Sequence, residues 1–117
     1  MNIALDMMGG DYAPEEAVLG VKEYFSGNTA PAHLLLIGDE QKLSPLVQQH
    51  LSQIKHYSVI HAPQVIDMHE HPTKALKEKQ QSSIAVGFHL LASGKADAFI
   101  SAGNTGAMLV GALFSIK

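Results

Sequence analysis

Three stretches concentrate the side chains able to bind an anion, move a proton or polarise a carbonyl. They are Ser101-Ala102-Gly103-Asn104-Thr105-Gly106-Ala107, Asp67-Met68-His69-Glu70-His71-Pro72-Thr73-Lys74 and Asp6-Met7-Met8-Gly9-Gly10-Asp11. The first follows an apolar run, Ala96 to Ile100, and opens a second, Met108 to Ile116, so it reads as strand, glycine-rich turn, helix. Such a turn directs backbone N–H groups and the Ser101, Asn104 and Thr105 side chains towards one point above the strand. A helix N-terminus adds about half a positive charge there, and the natural guest is an anion such as phosphate. Gly103 and Gly106 equally fit a plain tight turn that needs positive φ.

In an extended second stretch, Asp67, His69 and His71 would share one face, the donor set of a two-histidine, one-carboxylate metal site. Pro72 favours an extended His71. Three residues this close rarely wrap one ion, and no HExxH pattern occurs, so no metal is expected. General acid–base work, or donation to a phosphate, suits the histidines better, against the plain alternative of surface histidines in a loop. Lys74 could pair with a phosphate or polarise a carbonyl oxygen. Lys77 and Lys79 read as a solvated face or a patch for an acidic partner. In the third stretch Gly9 and Gly10 would let a substrate approach the backbone while Asp6 or Asp11 orients a cationic or hydroxyl group. Alternatively Asp11 caps the first helix.

The elements that position these residues follow from the apolar pattern. Asn2 to Asp6 is a first strand. Pro14 takes the first position of a helix whose Val18, Val21 and Phe25 recur at helical spacing, with Gly27 as its stop. Leu34 to Ile37 is a second strand, continuously apolar as burial on both faces requires. Ser44 before Pro45 marks a cap, with Leu46, Val47, His50, Leu51 and Ile54 as the inner stripe of a second helix. Tyr57 to His61 is a third strand, and Pro63 and Pro72 rule out one uninterrupted helix over 62–81. Ser82 or Ser83 caps a helix with Ile84, Phe88 and Leu91 on one face and Gly94 beyond its end. Ala96 to Ile100 is the fourth strand.

Alternating strands and helices predict an α/β fold, a parallel sheet with helices on both faces. Right-handed crossovers place every strand-to-helix turn on one sheet edge, where ligands of open α/β sheets bind. All three chemistry-bearing stretches, with Gly38-Asp39, fall at that edge. The helix after Gly106 is apolar all round from 107 to 116, which suits burial in something larger, so a truncated chain or a helix completed by an oligomer is expected.

The chain has 117 residues, 46% hydrophobic and 16% charged, a composition that excludes disorder. Its 8 basic and 11 acidic residues give −3, so no basic field points to nucleic acid. With no cysteine there is no disulfide framework, thiolate metal site or cysteine nucleophile. Met1 leads straight into Ile3-Ala4-Leu5 without a signal-peptide pattern, and Gly103, Asn104 and Gly106 break the long uncharged stretch from Ala98 to Ile116. A cytoplasmic location is expected. GxGxxG, GK[ST] and GxSxG are all absent, which counts against a dinucleotide site, a P-loop and a nucleophile elbow.

Taken together, IALDMMGGDYAP, LLLIGDE, VIDMHEHPTKALKEKQQSS and GKADAFISAGNTGAMLVGALF closely resemble the bacterial acyl-ACP:phosphate acyltransferase (PlsX) family of phospholipid synthesis. They occur in the family's order across essentially all 117 residues, as the N-terminal portion of a longer family chain. The resemblance implies an isocitrate/isopropylmalate-dehydrogenase-like fold. It also implies transfer of a long-chain acyl group from acyl carrier protein to inorganic phosphate, without a cofactor, by a homodimer associated peripherally with the membrane. On this resemblance His69, His71, Lys74 and Asn104 are the catalytic candidates. Asp6, Gly9, Gly10, Asp11, Ser101, Gly103, Thr105 and Gly106 are the candidates for binding phosphate and the rest of the substrate. A binding fragment without activity of its own is the alternative.

Overall fold

Strands β1 (Asn2–Asp6), β2 (His33–Gly38), β3 (Tyr57–His61) and β4 (Ala98–Ile100) form one parallel sheet in the order β3-β2-β1-β4, in a computed structural model that describes residues 1–115. Between and after them run α1 (Glu15–Ser26), α2 (Glu40–His50), α3 (Pro72–Glu78), α4 (Ser83–Ala92) and α5 (Thr105–Ser115). Ile116, the end of the expected last helix, lies outside the described residues.

The two sheet faces explain why the strands are apolar throughout. Ile3, Leu5, Leu34 and Leu36 pack with Val18 and Val21 of α1 and Leu43 and Val47 of α2. The alternate residues Ala4, Leu35, Ile37 and Phe99 meet Val86 and Leu90 of α4 on the other face. A third cluster, Ile66, Ala75, Ile84, Phe88 and Ala107, joins α3, α4 and α5. The central β2, buried on both faces, leaves no room for polar alternation.

Several boundaries differ from the sequence expectation, each for a local reason. The second helix starts at Glu40, not at Ser44: the Asp39 side chain accepts from Gln41 N–H at 3.0 Å and caps it there. Pro45 therefore sits inside α2, and burial of Leu43 and Val47 on either side offsets its lost hydrogen bond. α1 begins one residue after Pro14, without a side-chain cap, so Asp11 does not cap it. Pro72 opens α3 as its first residue instead of only interrupting the segment. β4 is confined to Ala98–Ile100, although Asp97 N–H still bonds Asn2 O at 2.7 Å. Ser82 is the cap of α4, accepting from Ala85 N–H, and Gly94 follows the helix with φ +79°, as expected.

Candidate functional site

Because all four strands are parallel, their C-terminal ends, Asp6, Gly38, His61 and Ile100, lie at one edge. From β1 the chain steps outward to β2 and β3, then returns past β1 to β4. The strand order reverses between β1 and β4, and ligands of open α/β sheets occupy that crevice. Its walls are the loops after β1 and β4, the Asp6–Asp11 and Ser101–Gly106 stretches.

A buried carboxylate ties the two loops. Asp6, 7% exposed, accepts Met8 N–H at 2.9 Å through one oxygen and the Ser101 hydroxyl at 2.7 Å through the other. Ser101 Oγ in turn accepts Gly103 N–H at 3.0 Å. The hydroxyl that Asp6 was expected to orient is thus supplied by the chain itself. Gly9 lies so close to the second loop that a Cβ there would stand 2.7 Å from Gly103 N. Gly10 has φ +98°, a conformation open to glycine at little cost. Asp11 is exposed at the rim.

Asn104 is turned inward, 4% exposed. Its Oδ1 accepts Ala107 N–H at 2.9 Å, as an N-cap residue does for α5. Its Nδ2 donates to Asp67 O at 2.8 Å and to Glu70 O at 3.3 Å. Ser101 and Asn104 therefore do not converge on one external point. What remains open at the head of α5 is the exposed Thr105 and the backbone N–H groups of Thr105 and Gly106, which have no acceptor among the described residues.

The histidine stretch is a tight turn and not an extended segment. Glu70 N–H bonds Asp67 O at 3.2 Å and Asp67 N–H bonds the Glu70 carboxylate at 2.7 Å. Asp67, His69 and His71 thus lack the shared face that the metal set required, and among the described residues no acidic or histidine cluster can hold an ion. His71 caps α3, with Nδ1 accepting Lys74 N–H over a long 3.4 Å. His69, His71 and Lys74 are exposed, and Lys74 lines a shallow hollow with Glu70, His71 and Glu78, apart from the 101–106 turn. Asn104 and the packing of Gly106 on the Pro72 ring nevertheless hold this turn against the head of α5.

Sequence reasoning missed the Glu70–Lys79 pair. Lys79 Nζ lies 2.8 Å from Glu70 Oε2 and donates to Val65 O at 2.9 Å, so it is a half-buried anchor and not part of a solvated face. The Lys79 hydrogen bond, followed by that from Asp67 N–H, holds the Glu70 carboxyl below the usual range. The nine-residue spacing crosses a helix end and follows no period that could have revealed it.

Beside the crevice lies an apolar cleft of about 530 Å³. Ile3, Leu5, Ala17, Val21, Tyr24 and Ile100 form its body, and Asp6, Gly9, Gly10 and Ser101 its polar end. It exists because α1 covers β1 but not β4 on this face, leaving Ile100 57% exposed. Among the described residues no helix is long and apolar enough to cross a membrane.

A family model described as "Fatty acid synthesis protein" matches residues 1–117. The chain is 40% identical over 114 residues to "Phosphate acyltransferase" of Herpetosiphon aurantiacus, covering 97% of this chain and 30% of the relative. It is 43% identical over 114 residues to that of Chlorobaculum parvum, covering 97% and 33%. The match to the Myxococcus xanthus protein of the same name is 41% over 117 residues, covering 99% and 32%. The chain thus spans about a third of the length of the curated relatives it matches. With all its residues matched by that family model, the chain belongs to the fatty acid synthesis protein family.

Proposed function

We propose that the chain is the N-terminal α/β portion of an acyltransferase that moves a long-chain acyl group from acyl carrier protein to inorganic phosphate. The observation that carries this reading is an anion-compatible helix head next to an apolar cleft, both at the β1–β4 crevice. Phosphate binds at the Thr105 and Gly106 N–H groups, stabilised by the N-terminal end of α5, with the exposed Lys74 as its cationic partner. The acyl chain or the pantetheine arm lies in the cleft past Gly9 and Gly10.

A phosphate oxygen attacks the thioester carbonyl carbon, the C–S bond breaks, and the departing sulfur takes a proton from His69 or His71. The products are acyl phosphate and free carrier thiol. Phosphate is itself the nucleophile, so no serine or cysteine needs activation. On this reading the protein is cytoplasmic, uses no cofactor and works as a homodimer at the membrane periphery. Exposed Leu109, Leu113 and Phe114 on α5 are surfaces for such contacts.

Substitution of this chain for the aligned residues of the Chlorobaculum parvum relative tests the reading. A chimera given palmitoyl-acyl carrier protein and phosphate is expected to form acyl phosphate, trapped as hydroxamate by hydroxylamine. A folded chimera that forms none while the parent does contradicts it. A second reading, a phosphate- or carrier-binding fragment inactive by itself, is favoured by the one-third coverage of the relatives. It predicts an active chimera and no hydroxamate from the 117-residue chain alone.

A further inference from the structure

Asn104 has every polar atom of its side chain committed inside the protein. Oδ1 takes Ala107 N–H, and the two protons of Nδ2 go to Asp67 O and Glu70 O. The reverse amide orientation would set NH₂ against an N–H donor and oxygen against two carbonyls, so the network admits one assignment. A side chain so occupied and only 4% exposed has no free group for a substrate. Its partners, however, are the two parts the chemistry needs together: the first turn of α5 and the turn that carries His69 and leads into His71.

We propose that Asn104 is a positioning residue: it caps α5 with its oxygen and, with its NH₂, latches the Asp67–His71 turn to the head of that helix. The inference rests on the acyltransferase reading for what the turn does, not for the latch itself. Without the latch, the turn keeps its own Asp67–Glu70 hydrogen bonds, the partly exposed Glu70–Lys79 pair and the contact of Pro72 with Gly106, but no hydrogen bond to α5. His71, which caps α3 directly after the latched Glu70 carbonyl, then loses one of its two ties to α5, the other being Pro72 on Gly106.

The two halves of the role separate in Asn104→Ser, whose hydroxyl can accept Ala107 N–H but cannot reach both carbonyls. Amide exchange and ring ¹⁵N spectra of the 117-residue chain at pH 8 read them independently. Asn104→Ser is expected to keep Ala107 protection within about threefold of the parent, while Asp67 and Glu70 amides exchange about tenfold faster, as loss of one hydrogen bond implies. The His71 ring, held with its proton on Nε2 by the Lys74 N–H bond, is expected to shift towards an averaged tautomer. Asn104→Ala loses the Ala107 protection as well. Asn104→Asp, which keeps an acceptor and removes both donors, gives the same answer should the serine variant fold poorly. Unchanged Asp67 and Glu70 exchange with an unchanged His71 signature, in a folded Asn104→Ser or Asn104→Asp chain, overturns the proposal. No readout involves phosphate or acyl transfer, so a failed latch and a failed acyltransferase reading remain distinguishable.

Discussion

The Ser101 hydroxyl donates to the buried Asp6 carboxylate at 2.7 Å, joining loops 95 residues apart in sequence. Together with the close approach of Gly9 to Gly103, this bond holds the loops after β1 and β4 against each other. Its removal in Ser101→Ala leaves a buried carboxylate oxygen and Gly103 N–H short of a partner, at a cost of about 1–3 kcal/mol. Urea unfolding is expected to show this as a lower midpoint with an unchanged slope. Asp6→Asn is expected to cost less, because an amide can still bond both Met8 N–H and Ser101 Oγ. An equal or larger loss in Asp6→Asn speaks against the bond geometry.

Two glycines respond to alanine with opposite sign. At Gly9 the new methyl meets the Gly103 backbone, and prying the loops apart costs about 1–3 kcal/mol. Gly20 lies inside α1 with nothing within 4 Å of an added Cβ, so Gly20→Ala stabilises by about 0.5–1 kcal/mol. Thermal melts of both variants measure the difference, and a stabilised Gly9→Ala would mean that the loops do not touch.

The Glu70 carboxyl is held below its ordinary value by Lys79 first and by Asp67 N–H second. A depressed folded pKa contributes stability that is complete above the unfolded value, about 4.3, and is lost as pH falls through the lower folded value. The side-chain ¹³C titration of Glu70 is expected to have its midpoint below the ordinary glutamate value. In Lys79→Ala it rises, keeping only the depression due to Asp67 N–H. A native midpoint at or above the ordinary value removes the pair as an anchor.

The cleft and the helix head are separate sites. Ala17→Phe narrows the cleft from α1, and neither Thr105 nor Gly106 is part of its lining. It is expected to weaken a fluorescent long-chain acyl probe about tenfold, the effect of about 1.4 kcal/mol of lost burial. Equal probe affinity in Ala17→Phe places the chain elsewhere.

The sheet and the edge that gathers its strand-to-helix loops were legible because strands buried within the sheet write themselves as apolar runs, Leu34 to Ile37 above all. The start of α2 was not, since Pro45 pointed to a boundary that the Asp39 cap and core burial override. At the site, residue types located the loops but not the side-chain directions. Ser101 and Asn104 look like ligand groups by type, yet each finds its partner in a loop remote in sequence, Asp6 and Asp67–Glu70. An asparagine directly before an apolar helical run was a legible cap signal for one half of its role. The Asp67–Glu70 turn closes on its own hydrogen bonds, and no local period encodes the Lys79 and Asn104 contacts that tie it down.

Phosphate titrated into the ¹⁵N-labelled chain, followed residue by residue in amide spectra, tests the seat at the head of α5 most directly. The largest saturable shifts are predicted at Thr105 and Gly106, with a smaller response at Ser101. Saturable shifts confined to the Lys74 hollow, or none at Thr105 and Gly106 at any phosphate concentration, would contradict it.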